Sequence, residues 1–244
     1  MRLITYDRGG ARRLGACVGE TVVDLPEAVG HPAFPPTMEA LVRHIGGSIL
    51  DAAHDILDDE EVVDECTVPR PRLLPVIVPS PESMTLLGEQ GRITTLHGGC
   101  FAGGIACIVG AGRARRMSRH ESRIFGYTLF AHWTNGSNGR RAATTFGPCV
   151  VTVEHVGGAA LELELRINGE PHGVKTLESP NEFFGGVLAE ASQERPFEAG
   201  DVLAWMSWTI RTNGKALPFQ DVELSADPIG ALRLHTTEAA GPKS

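Results

Sequence analysis

A chain of 244 residues can bury a full core as one large domain, or as one domain with a small appendage. Its 22 Lys and Arg against 30 Asp and Glu give a formal charge of −8, which repels phosphate backbones and speaks against a nucleic-acid partner. Five cysteines without a C-x-x-C pair suggest neither a disulfide framework nor a zinc ribbon, and neither an export signal nor a membrane-length apolar run of ~18 to 20 residues is present, so a cytoplasmic protein away from the membrane is expected.

Leu3 to Tyr6 and Leu14 to Val18 alternate like paired strands around a Gly9-Gly10 turn, and a tight turn at Gly19-Glu20 leads to Thr21 to Leu25. From Thr37, placed as an N-cap, Met38, Leu41, Val42, Ile45, Ile49, Ala53 and Ile56 form a stripe of period 3.6, which predicts a helix broken near Gly46 and Gly47. Asp58 to Glu65 holds six acids in eight positions and reads as a solvated surface; prolines 69, 71, 75, 79 and 81 then mark a linker. Beyond Ser83 short strands dominate, at Met84 to Leu87, Ile105 to Val109, Phe125 to Ala131, Val150 to His155 and Leu161 to Ile167, the last closing on the hairpin signal Asn168-Gly169. One helix carries Phe183, Phe184, Val187, Leu188 and Ala191 on a face, and strands return at Val202 to Met206, Val222 to Leu224 and Leu232 to His235. The expected architecture is a mixed, β-rich α+β fold: a small N-terminal β-unit with its helix (1–66), a proline-rich linker (67–82), the main body (83–240) and a flexible tail (241–244).

The strand Ile105 to Val109 followed by Gly110-Ala111-Gly112 resembles the start of a dinucleotide loop, but Arg115 stands where the third glycine belongs, so an ordinary turn is expected. Neither a G-x-S-x-G elbow nor an H-E-x-x-H pair occurs. Of nine histidines, His132 stands apart because it ends the otherwise apolar or small strand 126–131 and precedes Trp133 and a polar run. An imidazole at the mouth of a β-core can take and return a proton near neutrality; the alternative is a packed, hydrogen-bonded histidine. Trp133, Trp205 and Trp208 are either core filling or an aromatic wall facing a ligand, with Ser207 between the last two. Arg113, Arg115, Arg116 and Arg119 read as a solvated turn or an anion contact.

Four groups of short motifs stand in register: the opening MRLITYDRGGARRLGACVGETVVDL; Ile105 to Gly110 with Arg113 and Gly126-Tyr127-Thr128; Phe146-Gly147-Pro148-Cys149-Val150-Val151-Thr152 with Ile167-Asn168-Gly169-Glu170; and Ala199-Gly200-Asp201-Val202 with the tail Asp221 to Leu234. Together they resemble the fumarylacetoacetate hydrolase superfamily. The resemblance implies a β-roll or barrel body with a small N-terminal β-domain, a homodimer, and carbon-acid substrates such as β-diketones, 2-oxo acids and 2-hydroxydienoates. It also implies a Mg²⁺ or Mn²⁺ ion held by an E-x-E pair and an aspartate. Those positions fall here on Ala102, Gly104 and His132, none of which supplies a hard oxygen ligand, so no metal and no cofactor is expected. The family's lysine and aspartate before G-P are replaced near Asn138 and Arg141. Its T-G-T-P becomes Trp205-Met206-Ser207-Trp208. The long lid with its His and Glu pair is missing, leaving Glu89 and His97 as the nearest ionisable residues.

Two functions follow. The first is a metal-independent enzyme acting on an enolisable carbonyl small molecule by isomerase, lyase, dehydratase or cyclase chemistry, in specialised biosynthesis. His132 and Glu89 would carry protons, and Trp133, Trp205, Ser207, Trp208 and His97 would bind substrate. The second is a non-catalytic ligand-binding or scaffolding protein that has kept the fold.

Overall fold

The structure, a computed structural model, describes residues 1–44, 48–94, 96, 99–111, 123–135, 141–211 and 221–235. Strands β1 (Arg2–Arg8) and β2 (Ala11–Val18) pair antiparallel around Gly9 and Gly10, whose φ angles of 65° and 87° suit residues without a Cβ, and β3 (Thr21–Asp24) pairs with β2. Four helices follow: α1 (Leu25–Val29), α2 (Met38–Val42), α3 (Ser48–Leu57) and α4 (Glu60–Glu65). Thr37 caps α2 as its sequence position suggests, accepting from the Ala40 amide at 3.2 Å. The acid-rich segment is a solvated surface, as its charge implies, and it is helical. Asp59 caps α4 through the Glu61 and Val62 amides, and Glu60 and Glu61 lie in the first turn, where the helix dipole favours acids, although no residue of α4 is buried.

The proline-rich connection is packed. Its β4 (Leu73–Leu74) pairs with β1, and Val76 and Ile77 are buried; the Val76 carbonyl accepts from the Thr5 hydroxyl at 2.9 Å, and its amide donates to the Phe146 carbonyl at 3.0 Å. Then come β5 (Met84–Leu87), β6 (Cys100–Val109), β7 (Ile124–Asn135), β8 (Arg141–Thr152) and the short α5 (Val153–Val156), which takes His155 out of the strand expected there. Hairpin β9 (Leu161–Ile167) and β10 (Glu170–Leu177) turns on Asn168 and Gly169 at φ 50° and 83°, both left-handed as a two-residue turn of this hand requires. Helix α6 (Pro180–Ala191) and strands β11 (Val202–Arg211), β12 (Asp221–Ala226) and β13 (Gly230–His235) complete the chain.

The large sheet runs β3-β2-β1-β8-β7-β6-β11-β5, with β4 also on β1, and the smaller one runs β10-β9-β12-β13. The N-terminal strands are therefore continuous with the body, joined where Arg2 and Leu3 pair with Val151 and Val150. Pleating gives the large sheet two cores. Phe101, Ile105, Cys107, Tyr127, Leu129 and Leu203 pack with the smaller sheet and α6, while Ala102, Ala106, Ile108, Phe130, Phe146 and Val202 pack with Leu3, Leu14, Leu25, Met38 and Leu41. The result is a β-rich α+β fold. Among the described residues no helix is long and apolar enough to cross a membrane.

Asp24 ties the N-terminal unit together. It is 2% exposed, accepts from Tyr6 Oη at 2.6 Å and from the Arg13 guanidinium, pairs with Arg8, and caps α1 through the Glu27 amide at 2.9 Å. Burial pushes its carboxyl up, but the bonds from Arg13, Tyr6 and the Glu27 amide outweigh burial and hold it below the ordinary value of 3.8. The stabilisation is present above that value and lost as pH falls through the lowered one. Asp24→Asn should destabilise by about 2 to 4 kcal/mol, because Tyr6 and two guanidinium groups lose a buried acceptor. Urea denaturation at neutral pH measures this, and a midpoint equal to wild type would contradict it.

Candidate active site

The three positions to which the motif resemblance assigns ion ligands lie together on the large sheet. Ala102 of β6 faces His132 of β7, and His132 faces Thr144 of β8. Cross-strand partners point to the same side, so Ala102, His132 and Thr144 form one row. His132 is 5% exposed, and its Nδ1 lies 2.7 Å from Thr144 Oγ1. Burial lowers its pKa from the ordinary 6.5, so the ring is neutral at neutral pH. The next row outward on the same side holds Cys100 and Thr134, with Sγ and Oγ1 3.0 Å apart.

A bulge shapes the neighbouring strand. Met206 of β11 opposes Gly104 and Trp208 opposes Gly103, leaving Ser207 as the extra residue. Without it, Trp205 and Trp208, three residues apart, would point to opposite sides; with it both enter the core shared with the smaller sheet. Ser207 turns toward the His132 side and its hydroxyl donates to the Gly103 carbonyl at 3.1 Å. A Cβ on Gly104 would lie 2.9 Å from Ser207 Oγ and 2.0 Å from the Trp205 carbonyl oxygen.

That geometry decides how the site suits a divalent ion. Of the three ligand positions, Ala102 offers a methyl group, Gly104 has no room even for a methyl group, and His132 offers one nitrogen. Mg²⁺ and Mn²⁺ prefer several hard oxygen ligands, and this row does not present them. The residues present do not fit the ion.

The expected aromatic wall is on the other side of the sheet. Trp133 follows His132 in the strand and so points oppositely, packing 5.3 Å from the Phe101 ring centroid, with its buried Nε1 finding no partner among the described residues. Trp205 lies beneath α6, 5.7 Å from Phe183, and its Nε1 donates to the Glu89 carbonyl at 3.0 Å. Trp208 packs toward Gly173 of β10. Glu89 is exposed, and its carboxylate pairs with Lys175. His97, the arginines at 113, 115, 116 and 119, and Asn138 lie outside the described residues, as does the side chain of Arg141. The structure thus brings His132 and Ser207 to one side, on the order of 10 Å apart across β6 by strand spacing. It puts the three tryptophans on the other.

Thr144, Thr134 and Cys100 were not marked by the sequence, because a threonine or cysteine in a strand carries no signal until the register of its neighbours is known. An open cleft of about 1150 Å³ lies elsewhere, between α6 and residues 90–93, lined by Phe183, Val187, Glu182, Glu190 and Arg92.

Comparison with known proteins places this arrangement. The profile of the fumarylacetoacetate (FAA) hydrolase C-terminal family matches residues 70–235, more than half of the chain. The chain belongs to the fumarylacetoacetate hydrolase family. Among solved structures it is similar to a fumarylacetoacetate hydrolase from the psychrophile Exiguobacterium antarcticum, with 18% identity, 97% of this chain and 99% of that one covered, and a TM-score of 0.71. It is also similar to a maleylpyruvate hydrolase from Sphingobium sp. SYK-6 in complex with manganese(II) and pyruvate, with 17% identity, 96% and 98% covered, and a TM-score of 0.70. A third similar structure is a 2-hydroxyhepta-2,4-diene-1,7-dioate isomerase from Mycobacterium marinum, with 18% identity, 96% of each chain covered and a TM-score of 0.65. At these identities the likeness is one of fold. No curated protein matches the chain.

Gly104→Ala provides a direct check on the bulge. The added methyl group meets backbone rather than a movable side chain, so the substitution should destabilise by on the order of 3 kcal/mol. A melting temperature within a degree of wild type would show that β6 and β11 do not approach as described.

Proposed function

We propose that this protein is a metal-independent enzyme of the fumarylacetoacetate hydrolase fold that acts on an enolisable carbonyl small molecule, with His132 as its base. One observation carries the proposal: a neutral, nearly buried imidazole stands in the row where the family's ion ligands would be, beside an alanine and a closed-off glycine. A neutral imidazole can remove the proton next to a carbonyl and return it to another carbon, which is isomerisation and needs only one proton carrier. Loss of a leaving group from the enolate would make the same site a lyase or dehydratase, and attack within the molecule a cyclase. A positioned base contributes ~10² to 10⁴ in rate. Glu89, the second proton carrier of this reading, forms only an exposed ion pair with Lys175, and its carbonyl accepts from Trp205, so the step above is written with His132 alone. Specialised biosynthesis is the setting that the exchange of ion ligands for a histidine suggests, and a cytoplasmic location is proposed on the five free cysteines.

A binding or scaffolding role competes with this one. It is favoured by the tryptophans, which pack in the core shared with the smaller sheet instead of facing the same side as His132. His132→Asn separates the two roles. For the enzyme, the variant should fold and lose on the order of 10² or more in turnover of an enolisable substrate. Turnover by wild type should survive dialysis against a chelator and should fall on an acid limb centred below pH 6.5, where the base becomes protonated. Stability gives an independent sign. Because burial lowers the folded pKa, the unfolded chain takes up the proton first, so wild type should lose stability relative to His132→Asn as pH falls from 6.5 toward the lowered value. Full turnover in a well-folded His132→Asn protein would leave only the binding role.

A homodimer is proposed as well, on family resemblance. Sedimentation should show a species of twice the 26.1 kDa chain mass, and a lone 26.1 kDa species at micromolar concentration would refute it.

A further inference from the structure

We propose that Thr144 is the positioning residue of the site: its hydroxyl oxygen accepts from Nδ1–H of His132, fixing the imidazole as the tautomer whose Nε2 lone pair is free to take a proton. The assignment rests on the role given to His132 above.

Three observations carry it. Thr144 is the direct cross-strand partner of His132, so the 2.7 Å contact is set by the β7–β8 register and not by a mobile loop. Thr144 is β-branched, and a β-branched side chain in a strand has few rotamers, so its hydroxyl is held in place. With Nδ1 occupied, Nε2 is the nitrogen left for chemistry, and only the Nδ1–H tautomer leaves Nε2 unprotonated in a neutral ring.

The neutrality of this partner is informative. Histidine bases are commonly oriented by carboxylates, which also raise the imidazole pKa. Among the described side chains of the strands around His132, β6 contributes only Cys100 as a titratable group on this side, β7 contributes no other, and β11 contributes Arg211 at its end. None of these strands carries a carboxylate. A hydroxyl orients the ring without raising its pKa, which agrees with a ring whose pKa is lowered by burial alone.

Nitrogen-15 NMR of histidine-labelled protein at neutral pH tests the inference without a substrate. Wild type should show His132 as one neutral tautomer with its proton on Nδ1, Thr144→Val should show a mixture, and Thr144→Ser should restore the single form. Once a substrate is known, Thr144→Val should lower kcat about tenfold or more with KM little changed, and Thr144→Ser should recover most of it. A wild-type proton on Nε2 overturns the proposal even if Thr144→Val does not fold, and so does an unchanged single tautomer in a folded Thr144→Val protein. The two possible failures are distinct. Full turnover in His132→Asn removes the base itself, whereas an inactive His132→Asn beside a Thr144→Val protein like wild type in spectrum and kcat removes only the positioning role.

Discussion

Strand β6 is buried along all ten of its residues, with one side against the N-terminal helices and the other against the smaller sheet. No charge on such a strand can remain without a partner, since a buried, uncompensated carboxylate destabilises by several kcal/mol. In a relative that binds a divalent ion, the ion itself supplies that partner. Ion and carboxylates therefore come and go together: once one is lost, the other becomes a liability. Ala102 and Gly104 bring no acid onto this doubly buried strand, and the Trp205 carbonyl approaches Gly104 where a side chain would otherwise stand.

The same burial sets the electrostatics of His132. It stands where the motif resemblance puts the third ligand, and nothing charged among the described residues is bonded to it. Desolvation alone acts on the ring and favours its neutral form. A neutral imidazole is both the form that a closed apolar site accepts and the form that accepts a proton. Thr144 satisfies one nitrogen without bringing a charge into the sheet. Stability and candidate chemistry consequently make the same demand on this position.

The tryptophans show how one extra residue redistributes a strand. The bulge at Ser207 places Trp205 and Trp208 on the side of the smaller sheet, where they fill volume beside Phe101, Phe183 and Leu224. It leaves Met206 and Ser207 toward the His132 side. The three tryptophans thus fill the core behind the candidate site, while the site side carries Ala102, Cys100, Thr134 and Thr144, backed one row inward by Phe130 and Phe146.

The sequence by itself determined the family, through short motifs in register, and the β-rich class, the N-terminal hairpin, the Asn168-Gly169 turn and helix α6, through local periodicity and residues that adopt left-handed backbone. It also marked His132 and the loss of acids at 102 and 104, which motif alignment can read directly. Strand ends were less legible: Cys100 to Gly104 and His132 to Asn135 extend β6 and β7 through glycine and polar residues that pairing stabilises despite weak β-propensity. What only the tertiary structure decided is which side each residue faces and what lies opposite it. Thr144 became part of the site through β7–β8 register, and Trp133, Trp205 and Trp208 were separated from His132 by the pleat and the bulge. Side-chain direction in a sheet alternates with every residue, so one inserted residue reverses it, and the insertion is visible only where two strands are seen paired.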